Sequence, residues 1–210
     1  MGNLRLPPHL RALVFDVGET LVDESRLWSV QADRAGVTPF ALMGLIGAMI
    51  ERGEDHRVAW DLLGCPRPST SETITTADLY PDALECLRAA KKAGFAVGIA
   101  GNQPAAAVTQ LSALGFDADY VASSAEWGIA KPAPEFFAKL IAVSGFQPRQ
   151  IMYIGDRLDN DILPANAAGL RTAFIKRGPW GHLHASDQSV KTADLQLDSL
   201  TDLVSALARG

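Results

Sequence analysis

Asp16 stands at the end of an apolar run, Ala12-Leu13-Val14-Phe15, and is followed by Val17-Gly18-Glu19-Thr20-Leu21. A carboxylate at the carboxyl end of a buried strand lies where open α/β sheets place their ligands, which makes Asp16 a candidate nucleophile. The same position also suits an ordinary turn or cap aspartate, so the residue alone decides nothing. Three further segments add chemistry at matching places. Ala96-Val97-Gly98-Ile99-Ala100 leads into Gly101-Asn102, Lys131-Pro132 sits before a helical pattern, and Ile151-Met152-Tyr153-Ile154 leads into Gly155-Asp156-Arg157-Leu158-Asp159-Asn160-Asp161. The apolar runs have strand length and deliver polar groups at their carboxyl ends.

In order and spacing these segments, from Ala12 to about Gly169, resemble the haloacid dehalogenase (HAD) superfamily of hydrolases. Its motifs are an Asp after the first strand, a Ser or Thr after the second, a Lys, and an acidic cluster. The stretch from Lys131 to Phe137 and the Gly-Asp-x-x-x-Asn-Asp cluster are most similar to the branch with a helical cap inserted after the first motif. The resemblance implies that Asp16 attacks an electrophilic centre, usually phosphorus, to form an aspartyl intermediate that water hydrolyses. It implies a Mg²⁺ site made by Asp16, Asp156 and the Gly18 carbonyl, an oxygen donor set of the kind this cation takes. Lys131 would neutralise the nucleophile and the transferred group, and Gly101 and Asn102 would grip a substrate oxygen. Asp161 would hold a metal-bound water or pair with Lys131, while Asp159 is read as a cap or surface residue.

Two positions depart from the family pattern. The residue two after the nucleophile, where phosphatases of the superfamily carry a second Asp as general acid and base, is Gly18. That group contributes about 10²–10⁴-fold, so a phosphatase built on this chain is expected to be slow or to take its proton elsewhere. Glu19 is the nearest carboxylate, either a surrogate acid or a turn residue, and neighbouring side chains point in different directions. The usual hydroxyl of the second motif is replaced by Gly101, whose backbone N–H offers partial compensation.

Other chemistries of the superfamily fit less well. Schiff-base hydrolases need a cap lysine, and there is none from Val22 to Tyr80. Dehalogenases of 2-haloacids need no metal and no second Asp, but carry an aromatic residue where Gly18 stands. Arg26, Arg52 and Arg57 would suit their cap arginine. A further alternative is a binding or regulatory protein whose chemistry has decayed, motivated by Gly18 and Gly101.

The elements that must position these residues follow from periodicity. Residues 10–22 give the first strand and its turn, and 24–36, 39–52 and 54–64 read as helices broken at Gly36, Thr38-Pro39 and Gly53. Thereafter helices at 81–93, 104–114, 134–144, 160–168 and 198–208 alternate with strands at 95–100, 119–122, 150–154 and 171–175. Alternation of this kind predicts a Rossmann-like, three-layer α/β/α parallel sheet with a small inserted α-helical cap. The core is expected over 1–22 and 80–210, and the cap over 23–79. Met43, Met49 and Ile50 are expected in the cap's own core. The segment with Trp180, His182 and His184 reads as a Gly-rich connection that covers the rim or meets a neighbouring subunit.

The chain has 210 residues, 48% of them hydrophobic, enough to bury a substantial core. A formal net charge of −5 supplies no basic field for nucleic acid or an anionic membrane. No run of 18 apolar residues occurs, and Cys65 and Cys86 are too few for a disulfide framework. The expected setting is cytoplasmic, as a monomer or homodimer acting on a small, phosphorylated molecule.

Overall fold

The structure, a computed structural model, describes residues 4–68 and 72–209. The chain divides into two compact units, one of residues 23–73 and one built from the segments before and after it. The smaller unit is helical: α1 (Ser25–Arg34), α2 (Pro39–Glu51) and α3 (Val58–Leu62). Thr38 caps α2 by accepting from the Ala41 N–H at 3.2 Å, with Pro39 in the first turn where its missing N–H costs nothing. Met49 and Ile50 are buried, whereas Met43 is half-buried. The helix expected over 54–64 is only the short α3, and Ser69, Thr70 and Ser71 of the expected polar loop lie outside the described residues.

The larger unit carries one parallel sheet of β1 (Ala12–Phe15), β2 (Ala96–Gly101), β3 (Tyr120–Ser123), β4 (Ile151–Gly155), β5 (Arg171–Ile175) and β6 (Leu195–Leu197). Its spatial order is β3-β2-β1-β4-β5-β6. Around it lie α4 (Ala83–Lys92), α5 (Ala106–Ala113), α6 (Ser124–Trp127), α7 (Pro134–Ser144), α8 (Leu163–Ala167), α9 (Gly178–His184) and α10 (Leu200–Leu207). Side chains of β1 alternate between two cores, which makes the fold a three-layer, Rossmann-like α/β/α architecture. Leu13 and Phe15 join Cys86, Leu87, Leu200 and Leu203 from α4 and α10. Ala12 and Val14 join Phe136, Phe137, Leu140 and Ala165 from α7 and α8. No helix among the described residues is long and apolar enough to cross a membrane.

Residues 74–79 belong with the sheet, so the helical unit ends at Thr73 where the sequence pattern carries it to 79. Ile74 packs in the first core and its N–H donates to Gln110 Oε1 at 3.1 Å. Val22 and Leu79 form an antiparallel bridge, and the Tyr80 N–H reaches the Leu21 carbonyl at 3.0 Å. The connection expected after β5 is in fact helical: Pro179 opens α9 at a position a helix tolerates. The three-residue β6 is too short to show as a period.

Candidate active site

The strand order reverses its direction of growth between β1 and β4, where such sheets open a crevice at their carboxyl edge. Phe15 pairs with Ile99 on one side and Ile154 on the other, so Asp16, Gly101 and Asp156 leave neighbouring strands at nearly one level. The Asp16 N–H still bonds the Ile154 carbonyl at 2.9 Å, fixing the turn that follows.

Lys131 ties the carboxylates together. Its Nζ lies 2.8 Å from Asp16 Oδ1 and donates to Asp161 Oδ1 at 2.5 Å. Lys131 and Asp161 are 4% and 0% exposed, so this network is shielded from water and salt. The Lys131 ammonium also faces the Tyr153 ring, 5.3 Å from its centroid, while the Tyr153 hydroxyl donates to the Ala100 carbonyl at 2.7 Å. Of the two expectations for Asp161, pairing with Lys131 is the one this geometry contains. Its other oxygen accepts the Arg157 N–H at 3.0 Å.

The exposed side chain of Asn102 holds the main chain of Lys131. Its Nδ2 donates to the Lys131 carbonyl at 2.9 Å, and its Oδ1 accepts the Lys131 N–H at 2.8 Å. Both ends of the amide thus clamp the lysine's main chain to the end of β2. Gly101 has its own steric reason: a Cβ there would fall 2.4 Å from Asp16 Oδ1. The nucleophile candidate occupies the space that a serine or threonine side chain would enter. Gly155 gives room in the same way to Asp161, whose Oδ2 would lie 2.4 Å from an added Cβ.

Asp16, Asp156 and Asp161 each bring a carboxylate oxygen within 4.8 Å of the others. Two of these buried carboxylates, Asp16 and Asp161, share the Lys131 ammonium, and Asp156 lies beside the Arg157 charge. Burial pushes Asp16 up to about 6 against the opposing effect of Lys131, with Asp161 adding to the rise. Burial, then the charges of Asp161 and Asp16, hold Asp156 well above the usual carboxylate range. Burial alone would lower Lys131, but Asp16 and Asp161 more than offset it and hold the ammonium charged. Lys131 and the Arg157 N–H engage both Asp161 oxygens, whereas Lys131 engages Asp16 through Oδ1, so a cation would be held by Asp156, Asp16 and main-chain oxygen. An all-oxygen set of this kind fits a hard divalent ion such as Mg²⁺.

Glu19 is tied into the wall of the site. Its Oε2 accepts the Tyr80 hydroxyl at 2.5 Å, and its side chain fills the space where a Cβ of Gly178 would fall 2.4 Å from Glu19 Cγ. Its φ of 51° places it in the left-handed region, a cost of about 1–2 kcal/mol for a non-glycine residue. Arg177 completes the support: it lies 4.1 Å from the Tyr80 ring centroid, donates to the Thr20 carbonyl at 2.9 Å and pairs with Asp82 at 2.5 Å. Glu19 therefore matches the turn-residue expectation. Tyr80 and Arg177 have no spacing signal in the sequence, since each meets the site from a distant segment, whereas Tyr153 sits in the strand that leads to Asp156.

A family model described as haloacid dehalogenase-like hydrolase matches residues 10–169. A glyceraldehyde 3-phosphate phosphatase of Methanopyrus kandleri is 28% identical over 233 aligned positions, covering 95% of this chain and 99% of that protein. Among solved structures, Bacillus subtilis YfnB in its magnesium-bound form superposes with a TM-score of 0.70 at 18% identity, covering 95% of this chain and 99% of that one. The L-2-haloacid dehalogenase of Xanthobacter autotrophicus, with chloropropionic acid covalently bound, gives 0.67 at 20% identity, covering 96% of this chain and 99% of that one.

Proposed function

The chain belongs to the haloacid dehalogenase-like hydrolases, and within that family we propose that it is a Mg²⁺-dependent phosphatase of small phosphorylated metabolites. The observation that carries this reading is the excess of buried carboxylate, Asp16, Asp156 and Asp161, over the single Lys131. A haloacid dehalogenase needs no metal ion beside its nucleophile. Here Lys131 bonds two of the three carboxylates, Asp16 and Asp161, and Asp156 stands beside them. The long match to a phosphatase of a small phosphorylated aldehyde supports the same substrate class.

In this reading Asp16 supplies the attacking oxygen, and a phosphoryl group is transferred to it before water releases phosphate. Asp16, Asp156 and the Gly18 carbonyl would hold Mg²⁺, which when bound would screen the substrate's negative charge from the carboxylates. Lys131, fixed through its main chain by Asn102 and through its Nζ by Asp161, neutralises the attacking carboxylate and the transferred group. The main-chain N–H groups of Gly101 and Asn102 partly replace the missing hydroxyl as phosphoryl donors. The leaving oxygen has no side-chain acid at Gly18, and Glu19 is occupied by Tyr80. Turnover is therefore slow on alkyl phosphates and faster on substrates with good leaving groups. The helical unit, rich in apolar residues and free of lysine, is assigned the choice of substrate.

A second reading follows from Gly18 alone: without an acid to protonate an alkoxide, the site would suit displacement at carbon with halide as leaving group. Phosphate release from aryl and alkyl phosphates, with and without Mg²⁺, beside halide release from 2-haloacids, separates the two. The phosphatase reading expects Mg²⁺-dependent phosphate release that disappears in Asp16→Asn. Halide release without Mg²⁺ would favour the second.

A further inference from the structure

The acidic loop after β4 is fastened at two points to α9, a helix outside the catalytic set. The Leu158 N–H, which opens a five-residue π-helical turn over Leu158–Ile162, donates to His184 Nδ1 at 3.1 Å. One residue earlier, the Arg157 guanidinium stacks on Trp180, 4.6 Å from the ring centroid, and makes two bonds to Asp159 at 3.0 and 2.6 Å. N–H groups in a first helical turn have no partner within the helix and need one from outside. In this loop the Arg157 N–H takes Asp161 and the Leu158 N–H takes His184.

We propose that His184 is a positioning residue: by accepting the Leu158 N–H it sets the path of the loop between Asp156 and Asp161, and so the reach of both carboxylates. This rests on the functional reading above only for its catalytic consequence. A backbone N–H can donate only to a bare ring nitrogen, so the proposal requires the tautomer with its hydrogen on Nε2. Burial lowers the imidazole's proton affinity, against Asp159, which favours the charged form. A neutral ring is the form that can accept. The anchoring end is rigid because Gly181, in the middle of α9, lies against β5, where an added Cβ would stand 3.0 Å from the Ile175 carbonyl. Leu158 itself is buried with Ile162, Phe174 and Val190, so the loop has an apolar underside that α9 does not supply.

The test compares wild type with His184→Asn, His184→Gln and His184→Ala in the full-length protein. The Asn Oδ1 occupies the place of Nδ1, whereas the longer Gln presents its oxygen near Nε2. Nitrogen NMR of the His184 ring is expected to show the Nε2–H tautomer. Amide hydrogen exchange at Leu158 is expected to quicken at least tenfold in the Ala and Gln variants and to stay near wild type in Asn. With Mg²⁺ as the probe, calorimetry is expected to show affinity falling about 10–100-fold in Ala and Gln, the range for partners that orient metal ligands, and recovering in Asn. An Nδ1–H tautomer, or equal exchange at Leu158 in the Asn and Ala variants, would overturn the proposal. If wild type releases no phosphate with Mg²⁺, the phosphatase reading fails, while the tautomer and exchange results still decide the role of His184.

Discussion

The Tyr80 hydroxyl donates to Glu19 Oε2 at 2.5 Å, which binds the only carboxylate adjacent to Gly18 into the wall of the site. Glu19 packs on Gly178 and adopts a left-handed backbone, so the surrounding structure fixes its orientation as well as its partner. Glu19→Gln keeps the packing and can still accept from Tyr80. It should lower kcat by less than about threefold and leave the shape of the pH–rate profile unchanged, because a group that transfers no proton leaves no limb in that profile. Loss of one limb in the variant would restore Glu19 as the acid.

Gly18→Asp should supply the missing proton donor. Alkyl-phosphate turnover is expected to rise by about 10²-fold, the lower end for general acid catalysis, while aryl-phosphate turnover changes little because its leaving group needs no proton. Steady-state kinetics on a matched aryl and alkyl pair measures this directly. An equal effect on both substrates would locate the change in binding instead.

Restoring the family hydroxyl at position 101 should harm this protein. Any Cβ there meets Asp16 Oδ1 at 2.4 Å, so Gly101→Ser must turn the Asp16 carboxylate away from Lys131. A displacement of that size costs about 10²-fold in rate, with little change in thermal stability expected. Higher activity in Gly101→Ser would mean that Asp16 has a second productive orientation.

Much of this arrangement is legible in the sequence because it rests on strand ends. Asp16 and Asp156 follow apolar runs, and parallel strands joined by right-handed crossovers deliver such residues to one edge. Side-chain partnership is not legible in the same way. Nothing in the sequence shows that Asn102 meets the Lys131 main chain, 29 residues away, with both ends of its amide. Gly101 looks like a loss until the Asp16 rotamer is known. The helix α9 is obscured by Gly178, Pro179 and Gly181, whose weak propensities are overridden by packing against β5.

Metal removal should make stability depend on pH with a definite sign. Asp16 is raised from 3.8 to about 6 by burial, so the folded, metal-free protein binds this proton more tightly than the unfolded chain does. Relative to Asp16→Asn, metal-free wild type is destabilised above about pH 6 and recovers as pH falls from about 6 towards 3.8, by on the order of 3 kcal/mol. Mg²⁺ should raise the wild-type Tm most on the alkaline side of that window. Denaturant titrations at several pH values check it, and a wild-type to Asp16→Asn difference that does not vary with pH would contradict the assignment.

The central claim is that a phosphoryl group passes through Asp16. Wild type and Asp16→Asn would be mixed with an aryl phosphate and Mg²⁺, quenched in acid within one turnover, digested, and the peptide containing Asp16 weighed by mass spectrometry. The account predicts a transient phosphoryl adduct on Asp16 that forms and decays at the rate of phosphate release and is absent without Mg²⁺. Phosphate release that persists in Asp16→Asn, with no adduct on the wild-type peptide, would contradict it.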